Sequence, residues 1–387
     1  MKILILGSAD SIWVKEYIEF VLLKTFTKNV QIYVTGKSTE GEFLDFYKKN
    51  NVSVIELDRA IPACRKGKVR SVYNLYTQVR DIAKTAKFDI IHIHYVPANI
   101  MSLVYRYGIL KYGERIIVSF WGSDLLAASN AAGKIQQLCL NKSDAVTVSG
   151  MILKRAMEKR YGCQYDNKLH TVRFGITALS YIDEIQKDHL HEDIKKMLGI
   201  GSDKILIAIG YNARESQHHL DVLKQFKNLD EGIKSKYAFV LQFGTGDPSE
   251  EYKELVYDCI EQTGIEYLIT TGFLDKVKTA VLRSAVDIFI HAQDTDALSA
   301  SVQEYLYAGA YVINPKWIDY KELKAAGAQY FEYSKFEEIV PLIMNDCDFN
   351  QSEYRIVNKK AVKSVSSWEM QRPKWIALYN SSNSSEE

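Results

Sequence analysis

The chain has 387 residues, 47% of them hydrophobic and 25% charged, with a formal net charge of +1. It is too long for one ordinary core and too apolar for a disordered chain, so two globular domains are expected. No apolar run approaches the roughly 20 residues of a membrane-spanning helix, and the opening Met1–Gly7 is too short for a secretory leader.

Charge is divided unevenly. Residues 1–172 hold 25 Lys/Arg against 15 Asp/Glu, and residues 173–387 hold 24 against 33. A first half at +10 beside a second at −9 implies that the first half meets something anionic. The five cysteines (Cys64, Cys139, Cys163, Cys259, Cys347) are scattered without metal-ligand spacing, and are read as reduced thiols of a cytoplasmic protein.

In chain order, apolar runs rich in Ile and Val predict strands at Ile3–Leu6, Gln31–Val34, Val52–Leu57, Asp89–His94, Arg115–Phe120 and Ala145–Ser149. Continuous apolarity is the signature of strands covered on both faces. Helices are expected between them at Ile12–Phe26, Val72–Ala86, Ala98–Lys111, Gly133–Asn141 and Ile152–Tyr161. Charged, weakly periodic Thr177–Gly201 is expected to be the linker. The pattern restarts with strands at Lys204–Ile209, Tyr237–Phe243, Tyr267–Thr270, Asp287–His291 and Tyr311–Asn314, and helices opening near Ser216, Glu250, Lys276, Ser299 and Tyr320.

This alternation predicts an α/β protein of two doubly wound, Rossmann-like domains facing a cleft. The expected division is residues 1–174 for an acceptor-binding domain and 175–366 for a nucleotide-sugar domain. A kinked closing helix over 367–380 is expected to pack back toward the first domain, and 381–387 to form a disordered tail.

The most informative loop follows Asp287–His291. It leads through Asp296 to a helix expected to open near Leu298, Ser299 and Ala300, with Glu304 one to two turns in. Unpaired N–H groups and the positive end of the helix dipole suit a diphosphate. Carboxylates at 296 and 304 can accept hydrogen bonds from sugar or ribose hydroxyls on either side. The alternative is an N-cap at Asp296 and a solvated surface charge at Glu304.

Segment 264–315 resembles the donor site of the retaining glycosyltransferases of family 4, which have the GT-B architecture. Gly272-Phe273-Leu274, then Ala280–Ile290, is similar to that family's approach to its catalytic loop. Asp296 and Glu304 align with the family's two acids, which have seven residues between them. The resemblance implies that Glu304 binds the nucleotide ribose and Asp296 the transferred sugar, with Asp in place of Glu one methylene shorter. In the first half, Gly7-Ser8 and the strand Phe88–His94 resemble family elements. Val118–Asp124 stands where many members show His-Gly-x-Asp, with Trp121 in the His position. Asp124 and Gly122 are candidates for the acceptor side, or else form a turn with a helix cap.

Family members neutralise the leaving diphosphate with an Arg and a Lys after the first strand of the second domain. Here Tyr211 takes the Arg position and no Lys follows. Arg214, His218 and His219 are the basic side chains of that loop, with Arg214 the first candidate for the phosphates and Asn212 a further contact. Its alternative is a surface pair with Glu215 or Asp221. Gly244 and Gly246 resemble the family's glycine turn near the nucleotide, and Gly272, Phe273 and Leu274 are expected to border the base.

His92 and His94 alternate along a strand without a third ligand and are read as core or cleft-edge histidines rather than a metal site. Arg65–Arg70 holds four cations, read as a patch for anionic lipid head groups or a pyrophosphate-linked acceptor, the alternative being a solvated loop. No nucleic-acid motif accompanies it.

The expected function is a retaining glycosyl transfer from a nucleotide-diphosphate sugar to a glycan or lipid-linked hydroxyl, in bacterial surface polysaccharide or glycolipid assembly. No cofactor and no metal are expected; Asp294-Thr295-Asp296 is taken as chance spelling. The expected location is cytoplasmic, with peripheral contact to the inner membrane face. A sugar-nucleotide epimerase and an inert sugar-nucleotide-binding module are the rivals. A nicotinamide oxidoreductase is disfavoured, since neither first strand leads into Gly-x-Gly-x-x-Gly.

Overall fold

A computed structural model describes residues 1–27, 29–36, 41–56, 65–296, 298–345 and 352–380, with 65–71 described as backbone. The chain forms two compact units: residues 1–175 with those from 371 onward, and residues 176–370.

In the first unit seven strands form one parallel sheet: β1 Lys2–Leu6, β2 Gln31–Gly36, β3 Ser53–Glu56, β4 Phe88–His94, β5 Gly113–Ser119, β6 Ala145–Val148 and β7 Leu169–Thr171. Their order is β3-β2-β1-β4-β5-β6-β7. The second sheet has six: β8 Ile205–Ile209, β9 Tyr237–Gln242, β10 Glu266–Thr270, β11 Ile288–Ile290, β12 Tyr311–Pro315 and β13 Phe331–Tyr333, ordered β10-β9-β8-β11-β12-β13. Both orders reverse direction beside their first strand, between β1 and β4 and between β8 and β11. Such reversal points open a crevice at the strand carboxyl ends.

Burial explains the regularity. Residues 3–6 of β1, all of β9 and all of β12 are buried. Each buried Ile, Leu, Val or Phe contributes about 1.5–3 kcal/mol relative to exposure. Helices cover both faces because the central strands offer no polar side to water.

The expected linker at Thr177–Gly201 is folded instead. It forms the helices Ala178–Asp188 and His191–Met197, and Leu179, Ile182 and Ile194 enter the second core. Lys195 is buried against Asp287, at 2.7 Å, and Asp287 also accepts from the Leu206 N–H. These helices are therefore structural parts of the second unit.

The helix Trp368–Asn380 carries Pro373 inside it. From Gln371 onward it belongs to the first unit, where Trp375 is buried and donates its indole N–H to Arg173 O at 2.8 Å. The tail 381–387 lies outside the described residues. The cationic segment Arg65–Arg70 is the start of the helix Arg65–Ala86, not a loop before one, and its side chains lie outside the described residues. Among the described residues no helix is long and apolar enough to cross a membrane.

Candidate functional site

Four loops meet at the carboxyl ends of β8, β9, β10 and β11. Ala213 N donates to Thr245 O at 2.8 Å, tying the loop after β8 to the one after β9. A Cβ on Gly246 would stand 3.0 Å from the backbone nitrogens of Ala213 and Arg214, and its φ is +110°. A Cβ on Gly244 would overlap the Gly272 carbonyl oxygen at 2.0 Å, so only glycine lets the β9 and β10 loops close. Gly272 is followed by Phe273, which is 78% exposed, and by Leu274, packed against the core.

After β11 the chain reaches the helix Ala300–Ala308. Ser299 caps it, its Oγ accepting from Val302 N at 3.4 Å, and Gly309 ends it at φ +96°. The N–H groups of Ala300 and Ser301 precede any intrahelical acceptor. Leu298 is partly buried against the core just before the cap. Glu304 follows Ala300 by four residues, hence on the same helix face.

Glu304 is not a solvated surface charge. It is 8% exposed, and its Oε2 accepts from Arg283 Nε at 2.9 Å. Arg283, also buried, donates further to Gln242 Oε1, Tyr305 Oη and Ser301 Oγ at 3.1, 2.8 and 3.3 Å. Burial opposes its charge, but Tyr305 and Glu304 outweigh that and hold the guanidinium protonated. The two charges cancel each other and leave Glu304 rigid. Sequence reasoning passed over Arg283, although a lone cation in the apolar run Ala280–Ile290 needs a buried partner.

Asp296 sits differently. Its Oδ2 accepts from Tyr211 Oη at 3.3 Å and stands 3.6 Å from His291 Nε2. His291 is buried, with Nδ1 2.9 Å from Asn314 Oδ1. The Asn314 amide nitrogen is committed to the carbonyls of Pro315 and Ile318, so its oxygen faces His291 and the ring carries its proton on Nδ1. Burial lowers the His291 pKa, so the imidazole is neutral and forms no ion pair with Asp296. Burial, then Asp296, raises the Tyr211 and Tyr320 pKa values. The Asp296 carboxylate thus stands among neutral polar groups. Asp294 turns to His218 instead, so the two acids of Asp294-Thr295-Asp296 have separate partners. Among the described residues no group of three or more His, Cys, Asp or Glu could hold a metal ion.

The basic candidates diverge. Arg214 is exposed beside Gly246, its backbone N–H bonded to Asn212 Oδ1 at 2.9 Å, with no ion pair to Glu215 or Asp221 among the described residues. His218 places Nδ1 3.0 Å from Asp221 and Nε2 2.7 Å from Asp294. Partial burial lowers its pKa, but the two carboxylates outweigh that and raise it. Both of its ring nitrogens are already engaged by acids. His219 is fully buried against Tyr252 Oη, and burial pushes its pKa down to about 3, so it supplies no positive charge.

The remaining candidates belong to the first unit. Asp124 is buried, with its carboxylate turned into the backbone: Oδ2 accepts from Val96 N at 2.9 Å, and Oδ1 from Trp121 N and Gly122 N at 3.0 and 2.8 Å. Burial raises its pKa against the pull of those bonds. It organises the turn and is not presented to a ligand. Gly7 lies at the end of β1 against Val14 and His94, its N–H bonded to Thr35 Oγ1, and Ser8 contacts Asp10. His92 and His94 are buried and neutral: burial lowers both pKa values, that of His94 to about 3.

Two parallel sheets in these orders, with this loop cluster at the second, define the GT-B fold. Solved structures agree over nearly the whole length. HepE of Anabaena, in complex with UDP and glucose, matches at TM-score 0.66 and 14% identity, covering 97% of this chain and 98% of that one. A glycosyltransferase from Rickettsia africae matches at TM-score 0.73 and 15% identity, covering 98% and 97%. Sucrose-phosphate synthase from Thermosynechococcus elongatus matches at 0.66 and 10%, covering 98% of each. Residues 2–149 match the family described as Glycosyl transferase 4-like. That match lies in the half where Gly7-Ser8 and Phe88–His94 resemble family elements, and it does not reach segment 264–315. No curated protein matches the sequence at a significant level.

Proposed function

We propose that the protein transfers a sugar from a nucleotide-diphosphate donor, held by the second unit, to a hydroxyl of a glycan or lipid-linked acceptor. The observation that carries this is the pair of carboxylates, half-buried Asp296 and buried Glu304, on either side of a helix start whose Ala300 and Ser301 N–H groups have no intrahelical partner. The UDP and glucose in the HepE complex are the kind of ligand this arrangement suits.

In this reading the diphosphate rests on those N–H groups, Glu304 takes the ribose hydroxyls, and Asp296 takes a hydroxyl of the sugar. Phe273 offers an exposed ring beside the base. Arg214, with no acidic partner among the described residues, swings onto the phosphates; a guanidinium matches phosphate oxygens geometrically. Negative charge developing on the leaving diphosphate is stabilised by these fixed donors. With no carboxylate set apart as a nucleophile, the acceptor enters on the face the diphosphate leaves, and configuration at the anomeric carbon is retained. The proposed setting is surface polysaccharide or glycolipid assembly at the inner membrane face, where the +10 of residues 1–172 favours anionic lipid.

The test is turnover of a nucleotide-sugar panel with Glu304→Gln, which keeps an acceptor for Arg283. Loss of transfer with a retained melting temperature supports the assignment; unchanged turnover rejects it. Adding EDTA is expected to leave turnover unchanged, and loss restored by Mg²⁺ or Mn²⁺ would reject a metal-free reaction. Donor consumption without any acceptor product would point to an epimerase instead.

A further inference from the structure

The first unit contains a cavity of about 250 Å³ at the carboxyl ends of β5, β6 and β7, lined by Trp13, Trp121, Phe174, Trp375 and the hydroxyl residues Ser119, Thr147 and Ser149, with Phe120 and Val172. The rings pack on one another: Trp121 and Trp13 lie 5.3 and 5.8 Å from Phe174, and Trp375 lies 5.6 Å from it. We propose that this cavity is a carbohydrate subsite that holds one pyranose ring of the acceptor.

Three observations lead there. The walls are flat rings with little aliphatic surface, the shape that receives the C–H face of a sugar rather than a flexible alkyl chain. The volume falls below the roughly 300–1,000 Å³ of drug-sized sites, enough for a single ring whose further substituents run out to solvent.

The polar groups are donors. The Trp121 indole N–H is enclosed without a hydrogen-bond partner among the described residues. Ser119 ends a buried chain in which Tyr17 Oη donates to Tyr379 Oη at 2.9 Å, Tyr379 Oη meets His92 Nδ1 at 2.9 Å, and His92 Nε2 meets Ser119 Oγ at 2.7 Å. Thr147 also donates to Ser119 Oγ, at 2.7 Å. The direction that leaves no buried proton without an acceptor has Tyr379 donating to His92 and His92 donating to Ser119. Burial keeps His92 neutral, consistent with one proton on the ring. Ser119 then receives two bonds and retains its own O–H to give. Donors set between aromatic faces match ring and hydroxyl oxygens, while an alkyl chain would leave them desolvated and unpaired.

The role as acceptor subsite rests on the transfer reaction proposed above; carbohydrate binding by the cavity does not. The test is saturation-transfer NMR on the full chain without nucleotide. The probes are methyl glycosides of glucose, galactose, mannose, N-acetylglucosamine and rhamnose, with hexyl phosphate as the alkyl probe. At least one glycoside should give a saturable signal, weakened at least fivefold by Trp13→Ala and by Trp121→Phe, which keeps the wall and removes the N–H. Trp13 is 45% exposed, so its variant keeps the test valid even if Trp121→Phe does not fold. Silence from all five glycosides, equal signals in the variants, or displacement by hexyl phosphate overturns the proposal. Calorimetry with nucleoside diphosphates separates the two claims. No nucleotide binding with glycoside binding kept rejects the transfer reaction alone, and the converse rejects the carbohydrate subsite alone.

Discussion

The two units share a plan, yet what gathers at their strand ends differs in kind. The cavity of the first is lined by neutral groups, aromatic rings and hydroxyls, with the uncharged His92 and His94 beside them. The second assembles charges, most of them already engaged: Glu304 with Arg283 and the acids Asp221 and Asp294 with His218, while Arg214 has no ion pair among the described residues and Asp296 stands among neutral neighbours. The difference teaches that one fold can be tuned to opposite ligand chemistries through its loops. A neutral aromatic cavity selects by shape and hydrogen-bond donors, whereas a charged cluster selects for polar, anionic groups.

Glu304→Ala breaks that contrast most severely. It strands the buried Arg283 cation, and loss of one partner from a buried pair costs about 3–5 kcal/mol. Urea unfolding should show that loss, with Glu304→Gln much nearer the parent; equal stability in all three would mean that the pair is not buried as described.

Acid sharpens the contrast next. His94 and His219 have native pKa values near 3, so below the ordinary pKa near 6.5 the unfolded chain takes up protons that the native state refuses. Stability should fall with pH from about 6.5 downward, by up to about 1.4 kcal/mol per pH unit for each group. His94→Phe should flatten that dependence in urea-midpoint measurements across pH 5–7; an unchanged slope would place the acid response elsewhere.

His218 should respond with the opposite sign and more weakly. Its pKa is raised by Asp294 and Asp221, so the bridge between them is complete below pH 6.5 and is lost as pH rises through the shifted value. Proton NMR of the ring should show that raised titration point, and Asp294→Asn should lower it.

The smallest expected effect on stability belongs to Trp13→Ala. A half-exposed ring that packs on Phe174 at the cavity wall, outside the core, changes stability by about 0.5–1 kcal/mol. A drop of several kcal/mol in its thermal unfolding would make Trp13 a structural residue and the cavity wall a piece of core.

Sequence reasoning reached the fold because strands buried on both faces appear as continuous Ile/Val runs, and eleven such runs fall on observed strands. It missed β7 and β13, three-residue edge strands too short to form a run, β7 being largely exposed as well. It took Thr177–Gly201 for a linker because solvent-facing charges masked the sparse apolar stripe of Leu179, Ile182 and Ile194. Around the candidate site, spacing along the chain placed Asp296 in the loop and Glu304 in the helix. It could not supply their partners: Arg283 lies 21 residues before Glu304 and Tyr211 lies 85 before Asp296. Those pairs exist only once the sheet brings the loops together. Nor could it separate Arg214 from His218 and His219, because burial and neighbouring acids, not residue type, decide which cation is available.

The most direct measurement is calorimetric titration of UDP, GDP, ADP and TDP into the protein and its Ala300→Pro variant. Proline is tolerated at the first helical position, and Ser299, at φ −58° and ψ 128°, already has the extended backbone that a following proline requires. The change removes one N–H and leaves the helix intact. If the diphosphate rests there, at least one nucleotide binds and the variant binds it about tenfold more weakly at an unchanged melting temperature, a loss of about 1.4 kcal/mol. Equal affinity in the two proteins, or no binding of any of the four, would contradict a donor site at this helix start.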